Sequence, residues 1–279
     1  MSNKFNIKGD EAMMKGLTMR LIPVLIMGGF AGVAGASGFA LQNQTGSGNG
    51  NAFAGAAATA EDAGTIFFNP AGMTYLSEGH SVSLAGTVLR RTIDYKDTGS
   101  TTNAAPIPPL PVGSFIYAPT GDGGNAGGVA LIPAGFWSYA VTPALRVGLG
   151  VSPTFGNETE YDENFRGFNS GFYASMEQVN INPSIAYKIN EKVSVGAGIN
   201  FAHNETQFKF GVPFAHPVGA AGLPAGTYTK VKGDDWGVGY NLGAMFQLSP
   251  STRLGLSYRS TVKFTLEGEQ TYTASSPTL

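Results

Sequence analysis

The residues able to do chemistry in this chain are few and scattered. His80, His203 and His216 stand far apart, without a partner at metal-ligand spacing, so no metal is assigned. With 0 cysteines, thiol nucleophiles, disulfides and Cys-based metal sites are all removed. A hydrolase would need a Ser or Asp nucleophile paired with His on neighbouring strands, and no such trio assembles. Gly46-Ser47-Gly48-Asn49-Gly50 has the glycine content of a phosphate loop but lacks the preceding strand and the Lys-Ser/Thr ending. Glu158, Glu160, Asp162 and Glu163 crowd one predicted loop. Such a run is more often solvated than a seat for divalent ions shared with lipopolysaccharide. No cofactor is implied. What is left is apolar: Phe208, Phe210, Val212, Phe214, Val218 and Leu223 fall in a long predicted link, residues 207–230. Exposed apolar surface of that kind marks a binding site unless the side chains pack on one another. The chemistry on offer is capture of a hydrophobic molecule.

The elements that must position these residues are strands. Gly reaches 40 residues, aromatics 11% and charged residues only 13%, an unusual balance for a soluble α/β enzyme. A net charge of -2 without a Lys/Arg cluster excludes nucleic acid as a partner. Residues 21–36 (LIPVLIMGGFAGVAGA) follow Lys15 and Arg20 and end in small residues, the pattern of a signal peptide. Residues 1–36 are thus assigned to an export signal with an extended start, since Met13, Met14 or Met19 would begin a more ordinary one. Nothing else is apolar enough for a membrane helix, so a membrane-embedded form must use strands.

Residues 37–79 show neither period and are not read as strand. From Ser81 onward apolar and polar residues alternate: Val179, Ile181, Ile185 and Tyr187 against Asn180, Asn182 and Ser184; Trp236, Val238, Tyr240 and Leu242 against Gly237, Gly239 and Asn241. Leu254, Leu256, Tyr258, Val262, Phe264 and Leu266 likewise oppose Arg253, Ser257, Arg259, Lys263 and Glu267. These segments approach the roughly 9 to 11 residues that a tilted spanning strand needs. Short links at 141–144, 189–192 and 249–252 alternate with long ones at 161–171 and 207–230, as periplasmic turns alternate with outer loops in outer-membrane barrels. The pattern predicts seven strands, near 81–95, 113–138 with an interruption, 145–160, 173–187, 192–206, 229–248 and 253–268. An exported soluble β-sandwich is the rival fold, and its shorter strands fit less well.

Five stretches carry a family resemblance. Residues 37–41 (SGFAL), then 46–55 (GSGNGNAFAG) and 60–73 (AEDAGTIFFNPAGM), resemble the start of the long-chain fatty acid and hydrocarbon transporters of the outer membrane, the FadL/TodX type. Residues 233–248 and 254–264 look like two consecutive strands of that family. The resemblance implies an all-β transmembrane antiparallel barrel of about fourteen strands. Residues 80–279 would be its N-terminal half, and residues 37–79 a hatch plugging the lumen. It further implies ligand contacts at Phe39 and Phe155, joining Phe208, Phe210 and Phe214; a hatch motif at Asn69, Pro70 and Ala71; and a lateral gate at Pro153 and Gly156. Pro153 lacks an N–H and Gly156 a side chain, so both interrupt a ladder in mid-strand. A departure is that no lumen-facing Arg or Lys stands out near the outer link, since Lys209 lies close to Glu205. The expected partners are hydrophobic small molecules, outer-membrane lipid and lipopolysaccharide, and the barrel assembly machinery, with a monomeric barrel when complete. Seven strands cannot close such a barrel, so C-terminal truncation is expected. The alternatives in function are a general or solute-specific porin and, behind it, an outer-membrane hydrolase.

Overall fold

A computed structural model describes residues 40–99, 119–212, 217–218, 221–222 and 226–273. The expected signal peptide, Phe39 and Phe214 lie outside the described residues. After an extended start, three short helices follow: α1 (Gly46–Gly50), α2 (Ala56–Thr59) and α3 (Thr65–Phe68), then a 3-10 helix (Pro70–Tyr75). The strands are β1 (His80–Arg91), β2 (Gly128–Ala140), β3 (Leu145–Glu160), β4 (Tyr173–Asn190) and β5 (Val193–Gly211). A small hairpin, β6 (Pro217–Val218) with β7 (Ala221–Gly222), precedes β8 (Tyr228–Ser249), β9 (Thr252–Arg259) and β10 (Glu267–Thr273). Apart from β6 and β7, the strands form one antiparallel sheet in chain order, with β9 and β10 both pairing β8 as two halves of a seventh wall strand. Among the described residues no helix is long and apolar enough to cross a membrane.

The alternation that built the strands also sorts their faces. Val82, Leu84, Val179, Ile181, Val238, Leu242 and Leu256 are exposed on the outward side, where the solvent is lipid. Asn180, Asn182, Ser184, Asn200 and Asn241 are buried on the inward side. Aromatic residues gather outward near both ends. His80 stacks on Tyr139 at 4.5 Å and accepts from Trp137 Nε1 at 3.1 Å at the short-turn end. His203 lies 5.0 Å from Trp236 toward the long-link end. Residues 41–79 cover the inward face, where Ile66, Met73 and Ala63 join Ala134, Phe136 and Ala186 in one core.

Five boundaries differ from the sequence expectation. β1 stops at Arg91 rather than 95, because Asn125 Oδ1 accepts the Ile93 N–H at 2.8 Å and turns the chain away. β2 begins at Gly128, since Gly123 and Gly124 adopt φ of 76° and 67° and interrupt the expected strand there, its first residues, 113–118, lying outside the described residues. Glu158 and Glu160 sit on β3 rather than in a loop with Asp162 and Glu163. β5 continues to Gly211, so Phe208 and Phe210 are strand residues, not loop residues, held by ladders to β4 and β8. The last strand is not continuous from 253 to 268, since residues 260–266 leave the ladder between β9 and β10.

Candidate functional site

Three features meet on the inward side. The first is a cleft at the long-link end. Ala174, Phe208 and Val231 form one row across β4, β5 and β8, with Phe210 beside it, around a cavity of about 450 Å³. Phe208 is 43% exposed and Phe210 37%, despite lying on the inward parity. Their rim is polar but compensated. Lys209 Nζ lies 3.8 Å from Glu160 Oε1 and 4.4 Å from the centre of the Tyr173 ring, whose hydroxyl donates to Glu158 Oε1 at 3.0 Å. Glu205, the expected neighbour of Lys209, instead pairs with Lys232 at 2.9 Å.

Above the cleft the link 161–172 folds on its own aromatic residues. Phe165, Phe168 and Phe172 are buried, with Tyr161 stacked on Phe165 at 4.0 Å and Phe168 on Phe172 at 4.8 Å. Sequence reasoning missed this cluster. The spacing of Phe165, Phe168 and Phe172 around Gly167 and Gly171 was the available signal, because small residues let rings close on one another. These rings are consumed by packing, whereas Phe208 and Phe210 stay open.

The second feature is an interruption of the wall beside β3. The β2–β3 ladder runs only from Ala140 opposite Arg146 to Gly135 opposite Val151. Beyond it the two strands diverge, until Glu160 N donates to Ala126 O at 3.3 Å. Two prolines explain the break: Pro153 in β3, as expected, and Pro133 in β2, which was overlooked. Neither can donate to a ladder. On the β4 side the register shifts between Pro153 and Phe155, so Phe155 turns to the inward row of Gln178. The free β3 edge is taken by the start of the described chain: Ala40 bridges Phe155, and Leu41 N donates to Thr154 O at 3.0 Å. Gln44 Nε2 donates to Pro153 O at 2.8 Å. A Cβ on Gly156 would lie 3.2 Å from Leu41.

The third feature is the attachment of residues 57–77 to the wall, to β8 and β9 on one side and to β3 on the other. Asn69 is fully buried. Its Nδ2 donates to Ala57 O at 2.7 Å, Ala244 O at 3.1 Å and Leu256 O at 3.2 Å, while its Oδ1 accepts from Ala71 N at 3.1 Å. The side chain therefore caps the 3-10 helix and ties it to β8 and β9. Pro70 supplies the fixed φ of a first helical position, and Ala71 packs against Gly196, where any Cβ would strike its backbone. Three inward arginines complete the attachment. Arg146 donates to Ser77 O and Leu76 O, at 2.8 and 2.5 Å; Arg253 to Ala58 O and Thr59 O, at 3.1 and 3.0 Å; and Arg259 to Phe67 O at 2.7 Å. Lumen-facing arginines thus exist, away from the outer cleft and bonded to main-chain carbonyls. Among the described residues no group of side chains could hold a metal ion.

Long antiparallel strands, apolar outside and polar inside, with aromatic residues toward both ends, define an outer-membrane β-barrel wall. Residues 29–278 match the family described as outer membrane protein transport protein (OMPP1/FadL/TodX), and the chain belongs to that family. The 47 kDa outer membrane protein of Pasteurella multocida is 31% identical over 251 residues, covering 86% of this chain and 53% of its own length. A long-chain fatty acid transport protein of Escherichia coli O6:H1 is 28% identical over 258 residues, 85% of this chain and 53% of its own. The crystal structure of a Pseudomonas aeruginosa FadL homologue superposes with a TM-score of 0.63 at 22% identity, over 84% of this chain and 55% of that one. The Ralstonia pickettii toluene transporter TbuX gives 0.54 at 19%, over 76% and 56%. At such identities the structural likeness speaks for the fold. The chain spans about half the length of the curated relatives it matches.

Proposed function

We propose that the whole protein carries hydrophobic molecules across the outer membrane, and that it is a transporter rather than an enzyme. Ligand is captured in the cleft of Phe208 and Phe210, passes inward toward Phe155, and leaves sideways through the wall interruption at Pro153 and Gly156. Residues 37–79 act as the hatch, with Asn69, Pro70 and Ala71 as its fixed point; residues 80–279 supply barrel wall. On this reading Phe39, just before Ala40, and Phe214, just beyond β5, extend the ligand contacts. Residues 1–36 are the export signal. The barrel assembly machinery inserts the protein as a monomer among lipid and lipopolysaccharide. The observation that carries the proposal is the coincidence of an open apolar cleft and a break in the same inward wall, the break filled, among the described residues, by Ala40, Leu41 and the side chains of Gln44 and Arg91 rather than by a ladder. A water-filled porin needs neither.

The test is uptake by the native gene product in lipid vesicles or in a strain dependent on it, offered alkanes, monoaromatics, long-chain fatty acids and sugars in parallel. Hydrophobic compounds should enter, and Phe208→Ala with Phe210→Ala should lower their uptake roughly tenfold, the loss of two half-buried rings. Entry of sugars with no effect on hydrophobic compounds would overturn the proposal in favour of a porin.

A further inference from the structure

Toward the long-link end, the wall interruption beside β3 is closed by a side chain. β1 ends at Arg91, and β2 lies between β1 and β3 in the sheet, yet the guanidinium reaches β3 itself. Arg91 Nη1 donates to Asn157 Oδ1 at 2.6 Å and Nη2 to the main-chain O of Glu158 at 2.5 Å. Two strands that are not neighbours are thereby joined where the strand between them has drawn away. Beyond this contact the main chains of β3 and the approach to β2 meet once, where Glu160 N donates to Ala126 O at 3.3 Å. On the other side of it the β2–β3 ladder resumes only at Val151 opposite Gly135.

Between these limits the chain start takes most of the β3 edge. Gln44 Nε2 donates to Pro153 O, Leu41 N to Thr154 O, and Ala40 bridges Phe155. Gly156 is what remains. Apart from its chain neighbours, a Cβ there would meet only Leu41 Cδ1, at 3.2 Å. Among the described residues the free width of the opening therefore lies at Gly156, with Leu41 on one side and the Arg91–Asn157 contact on the other.

Stability does not explain the choice of arginine. Both acceptors are neutral, and among the described residues no carboxylate pairs with Arg91. Its Nε is buried without a partner, so the side chain brings an unmet donor into the wall, which opposes folding. A methionine would fill much of the same volume without that cost. What arginine supplies is a rigid fork that holds two acceptors at one fixed reach.

Resting on the sideways exit proposed above, we infer that Arg91 is a specificity-determining crossbar, which fixes one edge of the opening beside β3 and so sets the broadest hydrocarbon body that can leave through it. Slim chains pass between Leu41 and the crossbar, and fused rings are held back. Capture at Phe208 and Phe210, on β5, is untouched by it.

The experiment measures uptake of n-hexadecane, naphthalene and pyrene, in order of width, by the native gene product in vesicles with lipopolysaccharide in the outer leaflet, against protein-free vesicles. Arg91→Met keeps most of the stem and removes every donor. Pyrene uptake relative to n-hexadecane should then rise roughly tenfold, about the least discrimination that one added carbon meets in a filled pocket. Arg91→Lys keeps the charge but has no fork to span both acceptors, so it should follow the methionine variant. Heat-modifiable gel mobility verifies the fold of each. Should Arg91→Met not fold, Asn157→Ala, which leaves Arg91 in place and removes its side-chain acceptor, must show the same shift of the ratio. A ratio unchanged or lowered in a folded variant would overturn the crossbar while leaving the transport reading intact. So would a lysine variant of parental selectivity beside an altered methionine variant, since charge and not span would then decide. Failure of the unmodified protein to admit n-hexadecane or naphthalene at all would instead sink the transport reading itself.

Discussion

The two sides of the wall are built to different rules. β5 and β8 pair without interruption from Val193 opposite Phe246 to Gly211 opposite Tyr228. β2 and β3, with strands long enough to do the same, pair only between Gly135 and Ala140 on one strand and Arg146 and Val151 on the other. In a bilayer an unmet backbone group costs several kcal/mol, so the second arrangement survives only because other groups stand in for the ladder. Pro133 and Pro153 have no N–H to satisfy, Leu41 and Gln44 donate to Thr154 and Pro153, and Arg91 bridges the space to Asn157 Oδ1 at 2.6 Å. The lesson is that the continuous side serves as the anchor. Residues 57–77 are tied to β8 and β9 through Asn69, whereas the interrupted side meets them through Arg146 and the packing of Ile66 and Met73, and its free edge meets the chain start.

The strongest way to break this contrast is to cut the anchor. Asn69→Ala removes the bonds to Ala57, Ala244, Leu256 and Ala71 at a fully buried position. Several lost bonds with buried partners left unmet should cost about 3 kcal/mol or more. Thermal unfolding of the purified protein in detergent should register it, together with protease cleavage inside 41–79 that the parent resists. A variant within about 0.5 kcal/mol of the parent, the range of an ordinary surface change, would mean that the arginines alone fix residues 57–77.

The next test removes the difference between the two sides. Pro133→Val with Pro153→Val returns the missing donors and favours pleated structure, so the β2–β3 ladder should extend past Val151 and displace Ala40 and Leu41. Ligand uptake should fall roughly tenfold, while binding at Phe208 and Phe210, on another element, should be unaffected. Parental uptake in a variant shown to fold would move the exit away from this interruption.

The same contrast explains what could be read in advance. β4, β5 and β8 were legible because lipid outside and polar side chains inside enforce one alternation, as in Val179, Ile181 and Ile185 against Asn180, Asn182 and Ser184. That rule inverts at the upper end of β5, where Gln207 and Lys209 face outward and Phe208 and Phe210 inward. There the outside is water and the inside an apolar cleft, so the strand looked like a loop. Pro153 revealed one half of the wall interruption, but Pro133 acquires meaning only when the two strands are seen side by side. The departure of residues 260–266 from the ladder was illegible for a similar reason. It turns on Gly237 and Gly239 of β8, where a Cβ would collide with Val262, and the alternation of Val262, Phe264 and Leu266 is equally good for lipid.

The smallest expected effect concerns the cleft rim, and it sharpens the question of what kind of ligand the proposed pathway would carry to the interrupted side. Among the described residues that line this cleft Lys209 is the cation, with Lys230 opposite it on β8, and Glu160 lies 3.8 Å from its Nζ with a side chain 61% exposed. A solvated pair of this sort contributes about 0 to 1 kcal/mol, so it is a weak hold on the lysine, yet it cancels the charge that a carboxylate headgroup would seek. Glu158 nearby, bonded to Tyr173, adds a second negative group. Glu160→Gln leaves the shape of the rim and uncovers the lysine. Affinity for an alkyl carboxylate should then rise about threefold at low salt and return toward the parental value at high salt, because an exposed charge is screened over roughly 10 Å at 0.1 M ionic strength. Affinity for an alkane of equal length should not change. The measurement is equilibrium binding of the two ligands to parent and variant at both salt concentrations. If alkane and carboxylate shifted together, the rim would act through the packing of Tyr173 and Lys209 rather than through charge, and the cleft would be indifferent to the headgroup.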